Sequence, residues 1–192
     1  NLEMLAELMK TLHLTPKEFV KGKMHIPAYR TLYLDQMLES NENIYANRDR
    51  HFREIVKGFK TINDADFEEP ESLSRIMRKY QKNGYKWLRT LEAWKFGGIL
   101  ADDMGLGKTL QTIAFLLSEM QEAPEDANRR SLIVAPASLV YNWESECARF
   151  APELQTRLVA GTQEQRKEMI QNAGMQDILI TSYDLLRRDI EL

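Results

Sequence analysis

Residues 102–109 read DDMGLGKT, a spacing of glycine, lysine and threonine that can do phosphate chemistry. Gly105 and Gly107 tolerate positive φ, so successive backbone N–H groups can turn into one concavity that holds an anion. Lys108 can reach β- and γ-phosphates, and the Thr109 hydroxyl can sit on Mg²⁺. The strict pattern G-x-x-x-x-G-K-[ST] asks for glycine five places before Gly107, where this chain has Asp102. Two readings follow: a phosphate loop with an altered start, or a glycine-softened helix start carrying an exposed lysine. Asp102 and Asp103 either meet water on a bound metal or cap the loop's own N–H groups.

What flanks the loop separates these readings. The aliphatic stretch GGILA (97–101) predicts a strand running into the loop, and TLQTIAFLLSEM predicts a helix leaving it, over 108 to about 121. Strand, loop and helix in that order are the setting a phosphate loop needs, the helix adding the positive end of its dipole. From residue 73 onward the same alternation repeats. SLIVAP (131–136), TRLVAG (156–161) and DILITS (177–182) predict strands, with helices over 138–150, 163–172 and from 183. Strands alternating with helices imply a parallel sheet covered on both faces. Right-handed crossovers then bring every strand's C-terminal end to one edge, where ligands of such sheets bind. DDMGLGKT, PASLVYNW and TSYD all fall on that edge.

Residues 1–59 read differently. Leu2, Leu5, Met9 and Leu12 form an apolar stripe, TPKE (15–18) fits a capping box, and KMHI (23–26) suits a short strand. YRTLYLDQML (29–38) resumes helical spacing, and Phe52, Ile55, Val56 and Phe59 mark another helix face. No cluster of chemistry-bearing residues appears, so this is expected to be a helical accessory segment. KTINDADFEEPES (60–72) is acidic and poor in apolar residues, which suits a linker before the domain beginning at 73.

Composition narrows the rest. With 192 residues, 43% hydrophobic and 29% charged, the chain has the make-up of one globular domain, or of one plus a partial second. No apolar run approaches the roughly 18 residues of a membrane-spanning helix, and no signal peptide is expected. A formal charge of −3 excludes a global basic field, so any nucleic-acid surface must be local. The single Cys147 excludes an intrachain disulfide, and its helical position suggests burial; His13, His25 and His51 lack the cysteine partners of a zinc site.

GGILADDMGLGKTLQTIAFL closely resembles motif I of the Swi/Snf-type ATPases, duplex-DNA translocases of helicase superfamily two, whose loop commonly reads D-E-M-G-L-G-K-T. Aspartate at 102 is therefore the family's habit. MRKYQKNGYKWLRTL (77–91) resembles the family's L-R-P-Y-Q-x-x-G-x-x-W-L segment, with Lys79 in place of proline. LIVAPASLVYNWESECARFAP (132–152) resembles motif Ia and its continuation, and DILITSYDLLRRD (177–189) resembles motif Ib. IPAYRTLYLDQML resembles the helicase-associated region of the bacterial subgroup.

The resemblance implies a partial RecA-like P-loop sheet, class α/β, preceded by a small mainly helical segment. It implies ATP and Mg²⁺ as ligands, held by Asp102, Asp103, Met104, Gly105, Leu106, Gly107, Lys108 and Thr109, with Lys108 the catalytic member and Thr109 the metal ligand. Gln81 becomes the residue that pairs with adenine, its amide offering both the donor and the acceptor required. Pro136, Ser138, Asn142, Thr181 and Ser182 become contacts to double-stranded DNA. Read without the family, Ser138 is a helix N-cap, Trp143 is packing, and Thr181 with Asp184 forms a capping box. Further expectations are a second RecA-like lobe of the same parent chain, a protein partner for the N-terminal segment, no membrane, and a cytoplasmic, nucleoid-associated setting.

The family's next landmark, an aliphatic strand ending in D-E-A-H or D-E-x-x, does not follow residue 182. That motif supplies the aspartate that helps hold Mg²⁺ and the glutamate that activates water. These residues are therefore expected to be a piece of a longer protein, gripping nucleotide without hydrolysing it alone. Competing expectations are a superfamily-two motor on RNA and a non-catalytic nucleotide- or partner-binding module.

Overall fold

The computed structural model of the chain describes residues 6, 9–10, 15, 17, 20, 27–40, 47–61, 67–124, 127–174 and 178–190. Contacts divide the chain into two compact units, Asn1–Ala65 with Trp94–Phe96, and Asp66–Ala93 with Gly97–Leu192. The expected stripe of Leu2, Leu5 and Leu12, the TPKE capping box as a whole and the KMHI strand lie outside the described residues.

In the first unit a 3₁₀ turn at Ala28–Arg30 leads into α1 (Thr31–Glu39), and α2 spans Arg50–Lys60. Asp49 starts α2 by accepting a hydrogen bond from Phe52 N at 2.7 Å, which satisfies one of the free N–H groups of the first turn. The face expected from Phe52, Ile55, Val56 and Phe59 is the one α2 packs, with Ile55 and Val56 buried. Asp35 of α1 is buried and ion-paired with Arg48 at 2.9 Å and with Lys60 at 3.1 Å, so two cations compensate one desolvated carboxylate.

The second unit is built on a parallel sheet of three strands among the described residues, β1 (Ser131–Ala135), β2 (Thr156–Leu158) and β3 (Ile178–Ser182), ordered β1-β3-β2. Ser131 pairs with Ile178 and Ala135 with Ser182 along one side of β3, and Thr156 pairs with Ile178 along the other. In β3, Ile180, Thr181 and Ser182 are buried in succession, as a central strand covered on both faces requires. The other elements are α3 (Glu71–Ser74), α4 (Lys79–Ala93), α5 (Lys108–Glu122), α6 (Val140–Phe150), α7 (Gln163–Gln171) and α8 (Tyr183–Asp189).

Leu110, Ile113, Ala114 and Leu117 recur at helical spacing along α5 and are buried in a core with Tyr85, Val140, Cys147, Ile178 and Ile180. Each buried leucine or isoleucine there contributes about 1.5–3 kcal/mol by leaving water. Helix α4 is tied to α5 by Arg89, which donates to Ser118 Oγ at 2.7 Å and to Glu122 Oε2. Tyr85, one turn before Arg89 on the same face of α4, donates its hydroxyl to Glu68 O at 2.8 Å. These bonds fix α4 alongside the helix that leaves the loop.

Four expectations are corrected. GGILA (97–101) is not a strand: it joins no ladder among the described residues, and Ile99 is 85% exposed. An aliphatic run becomes a strand only through a partner's backbone, and this one finds none there. TRLVAG forms a strand only to Leu158; Val159 N adds one bond to Ile180 O, and then Gly161, at φ 99°, turns the chain away. The cap of α8 is Ser182 rather than Thr181, because β3 continues to Ser182, whose Oγ accepts from Leu185 N. The helix expected from 138 opens as a 3₁₀ turn, Ala137–Leu139, before α6 begins.

Candidate nucleotide site

The loop 102–107 follows a segment without regular secondary structure and enters α5 through Gly107, which is the helix N-cap at φ 73° and ψ 42°. Gly105 holds φ 85°. Both angles lie in the left-handed region, costly for residues with a Cβ, so glycine is required at both points. No side chain caps α5, and its first N–H groups belong to Lys108, Thr109 and their neighbours. A helix start with uncapped donors and the positive end of the helix dipole favours an anion.

Lys108 is the first residue of α5 and folds back over the loop. Its Nζ donates to Asp102 O at 2.7 Å and to Asp103 O at 2.9 Å. An incoming phosphate oxygen would exchange with one of these carbonyls, so the ammonium is held where the loop can deliver it. Thr109, half-buried on the first turn of α5, follows directly. Met104 projects outward, 96% exposed, with no packing role in this loop.

Gln81 is buried, 6% exposed, and its carboxamide is bonded at both ends. Its Nε2 donates to Leu106 O at 3.0 Å, and its Oε1 accepts from Arg78 N at 2.8 Å. The amide expected to meet adenine here braces the loop, and a methyl group on Gly107 would overlap its Nε2. Tyr80, which the sequence did not single out, joins it: its hydroxyl donates to the same Leu106 O at 3.2 Å.

Neither reading of Asp102 anticipated its partner. Its carboxylate accepts from Gln111 Nε2 at 3.0 Å, and Gln111 is fully buried on α5. A polar residue on the buried face of α5, in line with Ala114 and Ser118, was the signal in the sequence that could have found it. Asp103 is exposed, and its carbonyl closes the turn to Leu106 N.

Residues expected at a DNA strand separate into two groups. Pro136, Ser138 and Asn142 are all exposed just beyond the C-terminal end of β1. Ser138 lies inside the 3₁₀ turn and Leu139 is the N-cap of α6, so the capping reading of Ser138 is corrected. Thr181 and Ser182, by contrast, are buried. The Thr181 hydroxyl donates to Val159 O at 3.1 Å, and Ser182 caps α8, so both side chains hold the sheet edge together instead of facing outward. Exposed at that edge are Leu139, Tyr141 and Tyr183. Trp143 packs against the core, and Cys147 is fully buried, its thiol pushed up to about 11 by desolvation first and the nearby Glu146 second.

Among the described residues no three His, Cys, Asp or Glu side chains are grouped to hold a metal ion. The set present instead fits Mg²⁺ carried on a nucleotide, an ion that keeps several waters and takes one or two protein oxygens. Thr109 would supply one such oxygen.

The family model described as SNF2-related domain matches residues 80–192, and that described as bacterial SNF2 helicase associated matches residues 1–70. An uncharacterized ATP-dependent helicase of Mycoplasma pneumoniae is 45% identical over 116 residues, covering 60% of this chain and 11% of that protein. The ISWI chromatin-remodeling complex ATPase ISW1 of Saccharomyces cerevisiae is 39% identical over 127 residues, 64% of this chain and 11% of that one. The Sulfolobus solfataricus SWI2/SNF2 ATPase core, solved in complex with dsDNA, superposes with a TM-score of 0.50 at 39% identity, covering 60% of this chain and 23% of that one. The chain thus spans about a tenth of the length of these curated relatives. With the family model matching more than half of its residues, on the loop, helix and strand ends just described, the chain belongs to the SNF2-related domain family.

Proposed function

We propose that residues 73–192 are the nucleotide-gripping part of the first motor lobe of a longer ATP-driven translocase on double-stranded DNA, and that residues 1–59 are its helical accessory segment, joined through 60–72. The observation that carries the reading is the loop itself. Gly105 and Gly107 take left-handed backbone at the uncapped start of α5, and Lys108 stands over the same loop.

The backbone N–H groups from Gly105 to Thr109 and the Lys108 ammonium hold the phosphates of ATP, and Thr109 gives its hydroxyl to the accompanying Mg²⁺. When bound, the magnesium nucleotide supplies the phosphoryl group that is transferred to water. Lys108 is the catalytic residue of this set because its charge lies where charge builds up on the phosphates. Gln81 meets the adenine edge with the donor and acceptor capacity its two present bonds leave over. Asp102, Asp103 and Leu106 set the course of the loop through their hydrogen bonds. In this proposal the residues that activate water and a second RecA-like lobe lie outside residues 1–192, in keeping with the 11% of each curated relative that the chain covers.

Support for DNA comes from the exposed Pro136, Ser138 and Asn142 at the sheet edge, and from the related ATPase core, which was solved in complex with dsDNA. Hydroxyl and amide groups there suit phosphate oxygens and carry no base code. Thr181 and Ser182 support that edge from within. A cytoplasmic, nucleoid-associated setting is part of the same proposal; no described helix is long and apolar enough to cross a membrane.

The test is ATP turnover by the full-length protein with duplex DNA, single-stranded DNA or RNA added. Stimulation by duplex DNA, lost in Lys108→Ala, is expected. Stimulation by RNA alone would make the protein a motor of another kind, and no turnover under any condition would leave a binding module.

A further inference from the structure

Among the described residues the Gln111 carboxamide is the one fully buried amide in contact with the loop, and it is only half satisfied. Its Nε2 holds Asp102 Oδ2, while its Oε1 has no hydrogen-bond partner among the described residues. An orphaned buried carbonyl oxygen is destabilising, and an apolar side chain of similar size would avoid it. The reason it faces no donor is Gly84 of α4: a methyl group placed there would overlap Oε1 of Gln111. Gly84 sits in the interior of α4, where glycine is less favourable than alanine. Two locally unfavourable choices on two helices thus fit each other, and what they have in common is the bond to Asp102.

The consequence lies in how the loop is held. Asp102 begins it, and the Asp102 carbonyl also receives Lys108 at 2.7 Å. Leu106 is near its end and is held by Gln81. Gln81 and Gly84 lie three residues apart, one turn along the same face of α4. One helix therefore grips both ends of the loop, directly through Gln81 and indirectly through the seat that Gly84 provides for Gln111.

We propose that Gln111 is a positioning residue for the phosphate loop, that Gly84 is the residue that admits it, and that the pair couples the placement of α4 to that of Asp102 and Lys108. This rests on the reading of 102–109 as a phosphate loop. Its own content, that the loop's order depends on the amide, does not require nucleotide.

The experiment measures hydrogen–deuterium exchange of the amides of residues 103–107 in the full-length protein without nucleotide, well below its melting temperature. Alongside it runs calorimetry of magnesium-ATP binding. The variants are Gln111→Leu, Gln111→Ala, Gly84→Ala and the double variant Gly84→Ala/Gln111→Ala. Leu117→Ala, a core truncation on the same helix away from the loop, controls for stability loss alone. Gln111→Leu is expected to raise loop exchange about tenfold and to weaken nucleotide binding about tenfold, whereas Leu117→Ala leaves loop exchange near wild type. Gly84→Ala should act in the same direction alone and add almost nothing in the Gln111→Ala background, where the overlap is gone. Loop exchange in Gln111→Leu that matches wild type or Leu117→Ala would overturn the proposal, as would fully additive effects of Gly84→Ala and Gln111→Ala. A protein that takes up no nucleotide would defeat the functional reading, while the exchange data would still decide the role of Gln111.

Discussion

Gly105 and Gly107 both hold positive φ, yet their surroundings differ. A Cβ on Gly105 would meet nothing within 4 Å, whereas one on Gly107 would overlap the Gln81 amide. Gly105→Ala should therefore cost only the backbone term of about 1–2 kcal/mol. Gly107→Ala adds the displacement of a buried amide from its bond to Leu106, and its melting temperature should fall clearly further. Equal melting temperatures for the two variants would mean that Gln81 does not brace the loop. Cys147 gives a second expectation at this scale. A thiol with its pKa at about 11 and no exposed surface is nearly all protonated at neutral pH. Alkylation should wait for unfolding, so its rate should follow added denaturant; rapid labelling of the native protein would contradict the burial. The glycine, lysine and threonine of the loop were legible as residue types. Gln111 and Tyr80 were not, because what matters about them is a contact across 9 and 26 residues of sequence.

Between elements, the end of α8 is fastened by one ion pair. Arg166 of α7 donates to both carboxylate oxygens of Asp189, at 2.5 and 2.6 Å, and to Gly161 O at 2.6 Å. The Arg166 hydrogen bonds hold the Asp189 carboxyl below its ordinary range. A carboxylate with a lowered folded pKa stabilises the protein above its unfolded value, near 3.9, and that contribution is lost as pH falls toward the folded one. Wild type should thus lose stability relative to Asp189→Asn as pH drops below about 4, while above pH 5 wild type should melt higher. Melting curves from pH 2 to 7 check this, and a constant gap across that range would contradict it. Helices were the most legible elements, because the apolar spacing of α5 acts within one element; the Thr162 capping box of α7 is as local but emerged only from the structure. Strand limits were less so. GGILA has the composition of a strand without a partner among the described residues, and the α8 cap moved by one residue because β3's pairing with Ala135 reaches Ser182.

At the scale of the molecule, the chain is two units of different character, and only the second carries the chemistry proposed. In the proposed reading its sheet edge meets phosphates, not bases. Duplex binding by the full-length protein should then weaken steeply with salt and vary little with sequence, with log affinity falling by about 0.9 per phosphate contact for each decade of salt. A flat salt dependence in a filter-binding series would remove Pro136, Ser138 and Asn142 from that role. The architecture was readable from alternating strands and helices, because a parallel sheet leaves that trace in any sequence. The central claim is that the loop around Gly107 and the Lys108 ammonium hold the phosphates of a nucleotide. Isothermal titration of magnesium-ATP into the full-length protein tests it most directly. Saturable one-to-one binding, weakened at least about a hundredfold by Lys108→Ala in a variant that melts like wild type, is the predicted result, matching the loss of two or more charge-assisted bonds. Equal binding by wild type and Lys108→Ala, or no heat of binding to the intact protein, would contradict it.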